Sequence, residues 1–257
     1  MKELIIKNGK TIKQEIEEVE EKNFVQYFMQ YRLSTRIYCF EECQGIKAEN
    51  ARIMYIVENK PLEDEHWFFL ELRKKAELQL LFLGRRTLQP RCSLRIDVLL
   101  PQKEFAELDI LIICTANANL TLYLLLRQHA DSRLNLRLHV FAAGKLQLAS
   151  STWHSMGKKA IGEITLSGYY LEKPNISFRW KALLASKQEY RLLSRSVIDR
   201  CCGKVEICPE LEIYDGRAQL ELLSWYLKPS GIKLLQQPSI LLRSDRAKAS
   251  CRIERIV

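Results

Sequence analysis

One local pattern recurs along this chain and restricts its fold more than any other feature. A small or turn residue and a polar residue are followed by strict alternation of apolar and polar side chains. The pattern reads Lys75-Ala-Glu-Leu-Gln-Leu80, Asn117-Ala-Asn-Leu-Thr-Leu122, Gly144-Lys-Leu-Gln-Leu148, Gly162-Glu-Ile-Thr-Leu166, Gly203-Lys-Val-Glu-Ile207 and Arg217-Ala-Gln-Leu-Glu-Leu222. Alternation with period two belongs to a strand with one face buried and one wet. The small residue in front lets the chain turn tightly before each strand. One such unit cannot bury its own apolar face, but a stack of them covers each face with the next. The units therefore predict an all-β stacked solenoid. Their spacing along the chain is unequal, so the repeat reads as irregular, and a β-sandwich is the alternative.

The rest of the chain is compatible with one sizeable core. It has 257 residues, 47% hydrophobic and 28% charged, with only 10 Gly and 7 Pro, which excludes a disordered or low-complexity chain. No linker is readable, so residues 1–257 read as a single domain. Met1–Lys10 lacks the apolar core of a signal peptide. Leu108–Leu126 is too interrupted by Asp109, Thr115, Asn117, Asn119 and Thr121 to span a membrane, and Ala116–Asn119 reads instead as a turn between two buried strands. A cytoplasmic chain without membrane contact is expected. Eight cysteines, Cys39, Cys43, Cys92, Cys114, Cys201, Cys202, Cys208 and Cys251, lie among apolar positions without paired C-x-x-C spacing, and read as reduced, mainly structural thiols. Residues 12–33 are the exception to the strand pattern. Ile12, Ile16 and Val19 fall at helical spacing among Glu and Lys, which predicts an amphipathic helix, with Asn8-Gly9 as a hairpin-type turn before it. Residues 56–66 read as a polar connection.

Three segments carry a family resemblance. Ile161-Gly-Glu-Ile-Thr-Leu-Ser-Gly-Tyr-Tyr-Leu171 is followed by Tyr190-Arg-Leu-Leu-Ser-Arg-Ser-Val-Ile-Asp199 and Gly203-Lys-Val-Glu-Ile207. Their order and spacing resemble the β-core of the SufB/SufD family, the scaffold proteins of iron–sulfur cluster assembly. Leu4–Lys10 is similar to the hairpin that opens that core, and His66–Leu80 to a further motif. Pro238-Ser-Ile-Leu-Leu-Arg-Ser-Asp-Arg-Ala-Lys-Ala-Ser-Cys251 is similar to its closing segment. The resemblance implies a right-handed parallel β-helix with a short N-terminal helix or hairpin, and a scaffold that works by association. It implies a subunit interface at the C-terminal end, drawn over Ser239, Leu241, Arg243, Lys248, Cys251, Arg252 and Ile253, formed with a second copy or a SufB-like subunit.

Two departures shape that expectation. The sequence resembles the β-core alone, so a SufC-like ATPase is expected to be reached only indirectly. The position of the cysteine found in SufB-like members is Ile232, six residues before Pro238, which makes the chain closer to SufD. The family's closing histidine falls on Cys251. A thiol can replace an imidazole at iron, and neighbouring Arg252 and Lys248 suggest a readily deprotonated thiol. Cys251 is therefore the candidate contact for a transient iron–sulfur cluster, with no intrinsic cofactor expected.

Other chemistry finds little support in the sequence. His66, His129, His139 and His154 form no metal spacing. His139 reads as a strand residue, and His154 as an exposed residue in a turn-like stretch. No phosphate loop, G-x-G-x-x-G or G-x-S-x-G motif occurs, so no catalyst is expected. The net charge of +9 favours acidic partners, and Tyr169, Tyr170, Phe178 and Trp180 lie near Arg179 and Lys181. Those aromatics read as core, which leaves nucleic-acid binding, and an adaptor role outside cluster assembly, as the alternatives.

Overall fold

The computed structural model describes residues 2–8, 10–15, 43–58, 63–84, 89–171, 174–198, 203–226 and 233–256. Strands follow one another as β1 (Lys2–Lys7), β2 (Lys10–Gln14), β3 (Cys43–Ala48), β4 (Ala51–Glu58), β5 (Glu63–Leu72), β6 (Lys75–Leu83), β7 (Arg91–Leu100), β8 (Phe105–Cys114), β9 (Ala118–Gln128) and β10 (Arg133–Ala142). They continue as β11 (Leu146–Met156), β12 (Ile161–Tyr170), β13 (Asn175–Leu184), β14 (Gln188–Ile198), β15 (Lys204–Ile213), β16 (Gly216–Tyr226), β17 (Lys233–Gln236), β18 (Ser239–Leu242) and β19 (Ala247–Ile256). From β3 to β17 consecutive strands alternate between two sheets. One runs β19-β16-β14-β12-β10-β8-β6-β4-β1-β2, and the other β17-β15-β13-β11-β9-β7-β5-β3, with β18 also paired to β15. Among the described residues every strand pairing is parallel except β1 with β2. The molecule is a β-solenoid of about seven turns.

The repeat is more regular than the sequence units suggest. Arg91 pairs with Asn119, Asn119 with Gln147 and Gln147 with Asn175, each 28 residues on. In the other sheet Asp109 pairs with Arg137, Arg137 with Thr165 and Thr165 with Leu193, at the same offset of 28. The units at Lys75, Gly162 and Arg217 lie on one sheet, and those at Asn117, Gly144 and Gly203 on the other. Their interleaving, with coils skipped, produced the uneven spacing.

Corners repeat as well. Lys103, Asp131, Lys159 and Lys187 all have positive φ, between 52° and 62°, and stand 28 residues apart. The amides of the first three cross-link successive coils: Lys103 N–H donates to Ala130 O at 3.1 Å, Asp131 N–H to Lys158 O at 2.9 Å and Lys159 N–H to Ser186 O at 3.0 Å. A left-handed conformation is costly for a lysine, and the stacked ladder holds it there. At another corner the coils approach so closely that a Cβ on Gly144 would lie 2.1 Å from Ala116 O.

Inward residues form columns that run the length of the stack. Ile53, Leu78, Ile110, Leu138, Leu166 and Leu222 occupy one column, each at most 2% exposed. The 257-residue chain thus replaces a globular core by a long one, two sheets thick. Outward, a charged column crosses β1, β4, β6, β8 and β10: Arg52 bridges Glu77 at 3.1 Å and Glu3 at 3.5 Å, and Arg137 bridges Glu107 at 3.0 Å and Asp109 at 2.5 Å.

Two expectations change here. Ile12 lies in β2, an exposed strand antiparallel to β1, so the N-terminal element begins as a hairpin and not as a helix from residue 12. The remainder of the expected helix lies outside the described residues. Residues 56–66 are largely strand, since β4 runs to Glu58 and β5 starts at Glu63. Ala116–Asn119 does sit at a turn, between β8 and β9. Among the described residues no helix is long and apolar enough to cross a membrane.

Candidate functional site

The two ends of the stack differ. At the N-terminal end, β2 closes the sheet in the antiparallel sense and carries Lys10 and Lys13, with Lys13 bridging Glu3 at 2.8 Å and Glu15 at 3.2 Å. An antiparallel, lysine-bearing edge resists further parallel pairing. At the C-terminal end β19 adds in parallel to β16 over ten residues, from Gly216–Ala247 to Trp225–Ile256. Among the described residues nothing pairs with its other edge.

Inward columns that are buried elsewhere become exposed at this edge. Ile253 continues a column whose preceding member, Leu222, is 0% exposed, yet Ile253 is 45% exposed. Cys251 extends the column of Leu220 and Leu192, both 0% exposed, and is itself exposed. Leu242, at 50%, continues the column of the buried Ile213 on the other sheet, and Ile240 packs against the core beside it. Leu241 and Ile256, both 44% exposed, flank this face.

The seven residues anticipated as an interface divide by strand parity. Cys251 and Ile253 face the end of the core. Ser239, Leu241, Arg243, Lys248 and Arg252 project from the outer faces, where Arg243 bridges Glu212 at 2.8 Å and Arg252 bridges Glu254 at 2.5 Å. Leu242, Ile240 and Ala249 were missed. Tracing the alternation of β18 and β19 from their buried neighbours would have found them.

The thiol of Cys251 departs from expectation. Burial beside the core pushes its pKa up. The flanking cations Lys248 and Arg252 stand on the opposite face of the strand, which removes the reason for a lowered value. Deeper thiols are more inert: desolvation pushes Cys114 up to about 12 while it donates to Ala116 O at 3.0 Å. Cys39, Cys201 and Cys202 lie outside the described residues. Among the described residues no group of three or more His, Cys, Asp or Glu side chains gathers as a metal site. Cys251 by itself offers one ligand, so a cluster carried there as cargo needs further ligands from a partner.

Other candidate residues also take their places. His139 faces outward, half-buried, on β10, beside a shallow depression lined by Lys75, Glu77, Asp109, Leu111 and Arg137. The charges there are already matched, with Lys75 bridging Glu77 at 2.9 Å and Asp109 at 3.7 Å. His154 is not exposed: it lies inside β11 at 0% exposure. Tyr170, Phe178 and Trp180 are core residues, whereas Tyr169 is half-buried on the outer face, stacked on Phe141, and Arg179 and Lys181 also project outward. Alternation therefore separates three of the four aromatics from the cations. Compared with known proteins, the chain matches no family model and no curated relative.

Proposed function

We propose that this chain is a SufD-like scaffold of iron–sulfur cluster assembly, acting by association through the C-terminal end of its solenoid. The observation that carries the association is the contrast, within the sheet that holds both β2 and β19, between an antiparallel, lysine-bearing N-terminal edge and an open C-terminal one backed by exposed apolar side chains. The ordered sequence resemblance supports the assignment to cluster assembly. Four aliphatic side chains at this end, each nearly half exposed, would contribute about 3–6 kcal/mol on burial. Association costs at least about 4 kcal/mol, so pairing along β19 must supply part of the affinity.

A second copy or a homologous subunit would pair with β19 across a two-fold axis, which makes the strands antiparallel. An axis at Cys251 sets Glu254 opposite Lys248 of the second copy and brings two thiols face to face. An axis at Ile253 sets Glu254 opposite Arg252. An axis at Arg252 sets arginine against arginine and is disfavoured. The first register supplies two thiols to cargo held between subunits.

Light scattering on the full chain tests the association. A dimer is expected, and Ile253→Asp should convert it to a monomer with unchanged circular dichroism. A strict monomer that also fails to capture a SufB-like protein overturns the proposal. Anaerobic reconstitution with the partner then separates scaffold from adaptor. Cys251→Ser should abolish cluster retention while leaving the dimer intact. A dimer that holds no iron in the wild type identifies an adaptor.

A further inference from the structure

Buried polar side chains occur at several levels of this solenoid, Ser194, Ser196 and the hydrogen-bonded pair Gln236–Ser224 among them, but one cluster gathers four that lack partners. There, inward positions of β11, β13 and β14 carry Thr152, His154, Trp180 and Tyr190, each at most 3% exposed. Thr152 and Trp180 are register partners on adjacent strands. The His154 and Tyr190 rings meet edge to face, with centroids 5.6 Å apart. The Trp180 indole lies beside the Tyr190 hydroxyl without completing a hydrogen bond. Gly162, the register partner of Tyr190, leaves the space that these rings use: a Cβ there would lie 3.0 Å from His154 Cε1 and 3.2 Å from Tyr190 Cδ2.

The proton positions in this layer are fixed by their neighbours. Gln128 Nε2 donates to Ile161 O at 3.1 Å, which turns its Oε1 toward His154 Nε2 at 2.6 Å. An amide oxygen only accepts, so His154 carries its proton on Nε2, and Nδ1 presents a bare lone pair. Burial keeps the ring neutral. His154 Nδ1, Thr152 Oγ1, Trp180 Nε1 and the Tyr190 hydroxyl all lack a partner among the described residues. The set comprises one obligate acceptor, one obligate donor and two hydroxyls that can do either. Buried polar groups are almost always satisfied, and leaving four dry in one layer would consume much of a marginal stability. Buried water typically makes two to four hydrogen bonds to such groups.

We propose that this layer is an internal water site: at least one ordered water accepts from Trp180 Nε1–H and donates to His154 Nδ1, with the Tyr190 and Thr152 hydroxyls completing its coordination. The site ties β11 and β13 of one sheet to β14 of the other at a level where apolar packing is interrupted. Its ligand is water because the four groups together are neutral and match water's two donors and two acceptors.

A crystal structure of the full chain at atomic resolution is the direct test. Density within hydrogen-bonding distance of both His154 Nδ1 and Trp180 Nε1 is expected. No density there, or a direct Trp180–Tyr190 hydrogen bond that closes the gap, overturns the proposal. Thermal unfolding of Tyr190→Phe reads the same question in solution. If the hydroxyl binds water, its removal lowers the melting temperature. If the hydroxyl is dry and orphaned, removal raises the melting temperature and the proposal fails. Thr152→Val is nearly isosteric and provides the same reading should the tyrosine variant not fold.

Discussion

Gly168→Ala isolates how tightly one coil is packed. Gly168 and Tyr170 face inward two residues apart on β12, and Tyr170 is 1% exposed. A Cβ on Gly168 would lie 2.1 Å from Tyr170 Oη and 2.3 Å from its Cζ, against an ordinary carbon contact of about 3.5–4 Å. Two responses are open. The tyrosine can leave its place, which costs about 3–5 kcal/mol, the range for emptying a buried aromatic site. Alternatively the strand and ring can shift together, an overpacking response of about 1–3 kcal/mol. The second route is cheaper and sets the outcome. Replacing glycine also stabilises by about 0.4–1 kcal/mol through the unfolded chain, so the expected net loss is about 1 kcal/mol. Thermal unfolding should then show a fall of about 2–4 °C. Ser167→Ala, on the outer face of the same strand, should change stability by less than about 0.5 kcal/mol. In a Tyr170→Leu background Gly168→Ala should become nearly neutral. A neutral Gly168→Ala, or an equal penalty in the leucine background, would refute this account of the packing.

Three further outcomes follow from the geometry. His154 is held at about 3 by burial alone, and its closest titratable neighbour, Tyr190, is pushed well above its ordinary value and stays uncharged; the unfolded imidazole takes a proton below about 6.5 while the folded one does not, so stability should fall as pH drops from about 6.5 to about 3, by up to about 1.4 kcal/mol per pH unit. Denaturant titrations across that range should show a flatter profile for His154→Gln. Lys159→Gly removes a left-handed lysine with φ 56° and should raise stability by about 0.5–1 kcal/mol in the same assay, the relief of strain outweighing the glycine's added freedom when unfolded. Arg137→Ala breaks the bridges to Glu107 and Asp109 and should cost about 1 kcal/mol or less, a loss that shrinks at high salt.

Fold class was legible because a solenoid strand carries its instructions locally. Period-two alternation fixes the strand, and repetition of like units requires stacking. The period itself was harder to see. Ala106, Leu134, Gly162, Tyr190 and Ala218 occupy one inward column at 28-residue steps, but the side chains there range from none to an aromatic ring. Only their shared inward position unites them, and that depends on the facing strands. The left-handed corners hid for a similar reason: Lys103, Lys159 and Lys187 carry no glycine or asparagine signature, and at Lys103 and Lys159 the inter-coil amide bonds supply what the side chains do not. His154 was misread because Trp153-His-Ser-Met-Gly157 looks turn-like in isolation, whereas β11 extends through Met156 under the register of β9 and β13. Cys251 lies on the last strand of the stack, but the thiol's environment depended on parity, since its cationic neighbours in sequence are on the opposite face in space.

The ends of the stack also bear on how far assembly can go. A parallel solenoid with two open ends would add copies head to tail without limit, the usual route to fibres. Here the antiparallel β2 closes the N-terminal edge of one of the two sheets, and β3 is the terminal described strand of the other. Arg255 bears on the C-terminal edge: it occupies the inward register above Ser224 and is exposed, with no described strand paired beyond β19. A further parallel coil would bury that charge without a partner, at several kcal/mol. Two-fold antiparallel pairing avoids the penalty in the Cys251-centred register, which brings Arg255 opposite Ala247 at the rim of the paired strands. If the proposed association forms, the same end that offers apolar surface would favour a closed pair over an open chain, and the charge pattern of β19 would favour the registers that set Glu254 against a cation.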